Sequence, residues 1–171
     1  MARDQASSLR KKVRQVDSHP LWAVVALGRR ARAAAFARDI AQKATAGGSP
    51  LGILGDGAPA SGSTPILVSA GEGENVRWGV LKGTDAWCVL IEASMEGLES
   101  FRTLLGLARP GRPIHVAMGP VPSFEVYTEA FNRLKDIAEG AGDSMLMLGA
   151  YVTGEGLVLA DGVPVAEEVR A

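Results

Sequence analysis

Along most of this chain, unbroken apolar runs alternate with stretches of helical period. Leu21-Trp22-Ala23-Val24-Val25-Ala26-Leu27 has no polar position, the pattern of a parallel strand covered on both faces. Gly28 ends it, and the Ala-rich stretch Arg29 to Ala46 predicts a helix that stops at Gly47-Gly48. A short apolar piece, Leu51 to Leu54, leads into a loop of Gly, Ala, Ser and Pro over 55–65, followed by a strand, Ile66-Leu67-Val68. Glu72 to Lys82 reads as a short irregular helix. Ala86 to Ile91 is again wholly apolar and predicts a strand. Leu98, Phe101, Leu105 and Ala108 then form the apolar stripe of a helix. Pro110 to Pro113 turns the chain into a strand, Ile114 to Met118. Pro122-Ser123 caps a long helix with Phe124, Tyr127, Phe131, Leu134 and Ala138 on one face, and Gly140 to Gly142 ends it. Met145 to Val152 is a further strand, and 154–171 carries the weakest pattern. Strands alternating with helices at this spacing predict an α/β fold, a mostly parallel sheet with helices on both faces.

The first segment stands apart. Asp4 can cap a short helix in which Ala6, Leu9, Val13 and Val16 share one stripe, opposite Arg10, Lys11, Lys12 and Arg14. Ser18-His19-Pro20 breaks it, because a residue before proline is pushed out of the α region. A helix this short is marginal alone. Residues 1–18 are therefore expected to be a detachable basic arm, and 21–171 a single α/β domain.

Charge sharpens this division. The 171 residues sum to −1, which argues against a whole-surface nucleic-acid binder. Residues 1–43, however, hold ten Lys/Arg against three Asp, and the remainder eight basic against sixteen acidic residues. Apolar residues at 47% and charged residues at 22% exclude a disordered chain. A single cysteine, Cys88, forbids an internal disulfide, and His19 and His115 lack metal-ligand spacing. No apolar stretch reaches the roughly 18 residues that cross a bilayer. No secretory core follows the basic start, so a cytoplasmic location is expected.

In an open α/β sheet, ligands bind beyond the carboxyl ends of the strands. The first strand-to-helix turn reads Gly28-Arg29-Arg30-Ala31-Arg32-Ala33-Ala34-Ala35. A phosphate loop needs more glycines, a lysine and a hydroxyl. This turn has one glycine and neither of the others. Gly28, Arg29, Arg30 and Arg32 are candidate anion-binding residues at a helix N-terminus, the alternative being a solvated basic helix face. Cys88, mid-strand, reads as an inert buried thiol. His115 reads as a satisfied strand residue. Glu72, Glu74, Asp85 and Glu92 read as a solvated acidic rim, and Trp78 and Trp87 as core.

The order of elements and several phrases resemble MinD/ParA-family ATPases, with their three-layer α/β/α fold of the SIMIBI type. Leu21 to Leu27 resembles the family's first strand, and Phe36-Ala37-Arg38-Asp39-Ile40-Ala41 the helix behind its phosphate loop. On that register the signature Lys and Ser/Thr fall near Ala33 and Ala34. Ile66-Leu67-Val68-Ser69-Ala70-Gly71-Glu72-Gly73 resembles the strand ending in Asp-Thr-Gly-Ala-Gly, with Ser69 where the magnesium- and water-positioning Asp would stand. Thr84 to Ile91, continuing to Gly97-Leu98, resembles the next strand and helix, and Tyr151 to Glu167 the C-terminal stretch. Asp4-Gln5-Ala6-Ser7-Ser8-Leu9-Arg10 resembles the Asp-Gln-Ala-x-x-Leu-Arg motif that opens the flagellar-number branch, FlhG or FleN.

The resemblance implies an activator arm on a core that has lost its catalytic residues: no catalytic or metal-binding residue, no cofactor and no ATP hydrolysis. It places partner binding on Asp4, Gln5, Ala6, Leu9, Arg10 and Val13, with Gln5 reaching a partner's nucleotide site and Arg10 or Lys11 pairing with acids or phosphates there. The implied partner is the flagellar GTPase of the signal-recognition-particle type, which such arms bind and stimulate. A different implication is an adaptor whose core pairs with an intact MinD/ParA ATPase or another assembly protein. A third is an anion sensor built on Arg29, Arg30 and Arg32. The family's C-terminal membrane helix has no counterpart in Val165 to Ala171, so membrane or polar recruitment is expected only through a partner.

Overall fold

The computed structural model describes residues 19–55, 64–107, 112–121, 123–141, 145–152 and 156–159. Seven strands form one sheet: β1 (Leu21–Leu27), β2 (Gly52–Ile53), β3 (Ile66–Glu72), β4 (Ala86–Ile91), β5 (Ile114–Val121), β6 (Met145–Val152) and β7 (Gly156–Leu159). Among the described residues four helices accompany them: α1 (Ala33–Ala46), α2 (Trp78–Gly83), α3 (Met95–Leu105) and α4 (Phe124–Ala141). The spatial order is β2-β3-β1-β4-β5-β6-β7, and every pair is parallel except β6 with β7. This is the mostly parallel α/β sheet that the alternation of runs predicts.

Both faces of the sheet are covered. Ala23, Val25 and Leu27 of β1 pack with Val80 and Leu81 of α2, Leu98, Phe101 and Leu104 of α3, and Ala130, Leu134 and Ala138 of α4. Val24 and Ala26 point the other way, to Ala33, Phe36, Ala37 and Ile40 of α1. Period-2 alternation thus sends neighbouring residues of one continuous apolar run into two separate cores. Tyr151 ties β6 to α1, its hydroxyl donating to Asp39 Oδ2 at 2.6 Å while its ring meets Phe36 edge-on. Burial and the Asp39 carboxylate together raise the Tyr151 phenol well above its ordinary range.

Several expected boundaries move. The first helix begins at Ala33 rather than Arg29, because residues 28–32 form a loop held by contacts from elsewhere in the chain. The third strand runs to Glu72, and the helix expected from Glu72 starts only at Trp78. In α3 the buried stripe uses Leu104, with Leu105 only partly buried. The arm, 1–18, lies outside the described residues.

Trp87 is buried and Trp78 packs at the edge of the same core, as expected. Cys88 is buried in β4, and desolvation pushes its thiol up to about 12. It should therefore resist an aromatic disulfide reagent at pH 8 in the folded protein and react fully in urea. Rapid labelling of the folded chain would contradict this burial.

Candidate functional site

The candidate anion residues Gly28, Arg29, Arg30 and Arg32 lie together in the loop between β1 and α1, at the carboxyl end of β1, an interior strand flanked by β3 and β4. Gly28 has φ +113°, a conformation that glycine alone adopts without strain. Arg32 occupies the cap position of α1 in extended conformation and offers no side-chain acceptor to the helix. The exposed N–H groups of this turn therefore need partners from elsewhere.

Two carboxylates provide them. Glu72 closes β3, and its Oε2 accepts the N–H of Ala33 at 2.9 Å. Glu92 follows β4, and its Oε2 accepts the N–H of Arg29 at 3.2 Å. The Ser94 hydroxyl donates to that same oxygen at 3.0 Å and, as cap of α3, accepts the N–H of Gly97 at 3.1 Å. Glu92 is only 9% exposed, so the solvated rim expected at this position is a buried hydrogen-bonded carboxylate instead. Asp85 is exposed, as a rim residue would be, and its Oδ2 also accepts the N–H of Leu21 at 2.8 Å, anchoring the start of β1. Glu74 is exposed, as a rim residue would be.

The three arginines also meet the chain itself. Arg29 pairs with Glu96 at 3.3 Å, and Arg30 Nε stands 3.9 Å from Glu92 Oε1. Arg32 folds back to donate to the carbonyls of Arg29 and Ala31. The Arg29 and Arg30 side chains remain largely exposed, so these pairs orient more than they stabilise. Ala33 is buried at the first helical position, Ala34 is exposed beside it, and Ser69 is exposed on β3.

A cavity of about 140 Å³ lies between α3 and α4, lined by Ser94, Met95, Leu98, Val126, Ala130 and Arg133 among others. None of the four candidate loop residues lines it. Asp4, Gln5, Ala6, Leu9, Arg10 and Val13 lie outside the described residues.

His115 does not fit the satisfied role expected of it. It is buried on β5, stacked on Trp22 with ring centroids 4.7 Å apart, and its Nδ1 has no hydrogen-bond partner. Burial lowers its pKa to about 4. Among the described residues, no three His, Cys, Asp or Glu side chains are grouped to hold a metal, and no helix is long and apolar enough to cross a membrane.

The fold defines a mostly parallel α/β protein whose first strand, interior to the sheet, ends in a loop bound by its own acids. Comparison with family models, curated proteins and solved structures finds no match to this chain.

Proposed function

We propose that this chain is a non-catalytic regulator resembling the MinD-like flagellar-number proteins, acting through its arm on a GTPase of the signal-recognition-particle type. The observation that carries this reading is the Asp4-Gln5-Ala6-x-x-Leu9-Arg10 motif placed ahead of an α/β core. On the resemblance, Ala33, Ala34 and Ser69 stand where a nucleotide-hydrolysing relative carries Lys, Ser/Thr and Asp. Each missing charge-assisted contact removes about 1.5–3 kcal/mol of phosphate or magnesium binding. The two carboxylates on the loop's N–H groups support the same reading, since a triphosphate would meet like charge there. Titration calorimetry with magnesium and ATP should accordingly give no binding in the micromolar range. Micromolar or tighter binding would overturn the pseudo-ATPase part.

The arm is tested on the full chain. Added to a flagellar GTPase loaded with GTP, the intact protein should accelerate hydrolysis, and removal of residues 1–18 should abolish the effect. Gln5→Ala and Leu9→Ala should each remove most of it. The basic face of the arm, Arg10 to Arg14, should make the stimulation fall with added salt. Hydrolysis unchanged by the intact chain would leave the adaptor role, in which the core pairs with an active MinD/ParA ATPase, as the reading to pursue.

A further inference from the structure

Two carboxylates converge on the β1–α1 loop from opposite sides of β1. Glu72 ends β3 and Glu92 immediately follows β4, the two strands that flank β1 in the sheet. The N–H groups at the start of a helix have no partner within it and carry its positive end, so a side chain, water or an anion must satisfy them. The crevice where β1 meets neighbours on both sides is also where an open α/β sheet takes its ligand. In this chain the loop N–H of Arg29 and the helix N–H of Ala33 both end on internal acids.

Glu92 is fitted to its seat by the backbone around it. A Cβ on Gly28 would lie 2.4 Å from the Glu92 Cβ, and a Cβ on Gly97 would lie 2.3 Å from the Glu92 carbonyl oxygen. Both neighbours must be glycine for this residue to sit there. Ser94 adds a hydroxyl donor to the carboxylate, and Glu92's own N–H binds the Leu27 carbonyl at 2.8 Å. A solvated surface acid would have none of these fittings.

We propose that Glu72 and Glu92 are internal anions that lock the β1–α1 loop in a ligand-bound shape without a ligand, and that they close it to phosphate-type anions. The lock does not depend on the arm or its partner, so the two can fail separately. An incoming phosphate would have to displace two tethered carboxylates, one of them buried. It would also compete with Glu96 and Glu92 for Arg29 and Arg30.

Amide hydrogen exchange on the full-length chain, followed by NMR with no anion added, tests the lock. The N–H groups of Arg29 and Ala33 should be protected in the parent protein. Glu92→Gln should speed exchange at Arg29, and Glu72→Gln at Ala33, each about tenfold with little effect on the other. The glutamines keep the size of the side chain, and unchanged signals from β4 and β5 would confirm that each variant is folded. Inorganic pyrophosphate at matched ionic strength should leave the loop signals of the parent unmoved and shift them in Glu72→Gln/Glu92→Gln. Unprotected amides in the parent, or variants exchanging at the parent rate, would overturn the lock. Pyrophosphate shifting the parent's loop, or failing to shift that of the double variant, would overturn the exclusion.

Discussion

Gly28→Ala is expected to destabilise the protein by about 3–5 kcal/mol, a large share of what a domain of this size possesses. Two costs combine. At φ +113° any side chain is strained, and the new methyl would stand 2.4 Å from Glu92 Cβ and 2.7 Å from its Oε2. Neither group can retreat easily, because Glu92 is buried and held by Ser94 and by the backbone of Leu27. Gly48→Ala separates the two costs. Gly48 has φ +86° with nothing within 4 Å of a new Cβ, so only the conformational part remains, about 1–2 kcal/mol. Thermal melts should show a fall of roughly 10 °C or more for Gly28→Ala and a few degrees for Gly48→Ala. Equal falls would mean that Glu92 yields and the close approach costs nothing.

Mild acid should weaken the fold through His115. Its pKa falls from 6.5 to about 4 on folding, so between these values the unfolded chain binds more protons than the folded one. Stability contributed by the neutral ring is therefore fully present above about pH 6.5 and is lost progressively as pH falls toward 4. The loss approaches roughly 2 kcal/mol at pH 5 and about 3 kcal/mol at pH 4. Urea melts of the parent and of His115→Leu at pH 7.5 and pH 5 isolate this contribution from that of the carboxylates. The parent should lose about 2 kcal/mol more than the variant between these two conditions. Trp22, stacked on the ring, supplies the fluorescence signal. Parallel losses in the two proteins would show that His115 does not carry the acid sensitivity.

The strands were legible where burial on both faces left an unbroken apolar run. Leu21–Leu27 and Ala86–Ile91 have the bounds that their composition predicts. Helix α4 was legible from its period and from Ser123, whose Oγ accepts the N–H of Val126 at the expected start. The start of α1 was not. Arg29 to Arg32 have good helical propensity, but the hydrogen bond that the Arg29 N–H donates to Glu92, 63 residues along the chain, holds Arg29 in the loop. Glu72 was hidden for the same reason, since it meets Ala33 across 39 residues. In the sequence these acids look like any solvent-facing glutamates. The usable signal lay in their neighbours: Gly28, Gly97 and Ser94 are small residues grouped around Glu92, and nothing in a linear pattern joins the first to the other two.

The interior position of β1, between β3 and β4, sets a problem for the nascent chain. Six of its seven residues are buried in the finished protein, and both neighbours arrive later. The anchor for its first residue, Asp85, is 64 residues downstream. At about 5–20 residues per second, the ribosome takes roughly 3–13 s to supply it. For those seconds an almost uninterrupted hydrophobic strand is exposed or only half covered. Its production in cells should accordingly respond to chaperone supply and translation speed more than the stability of the finished fold would suggest.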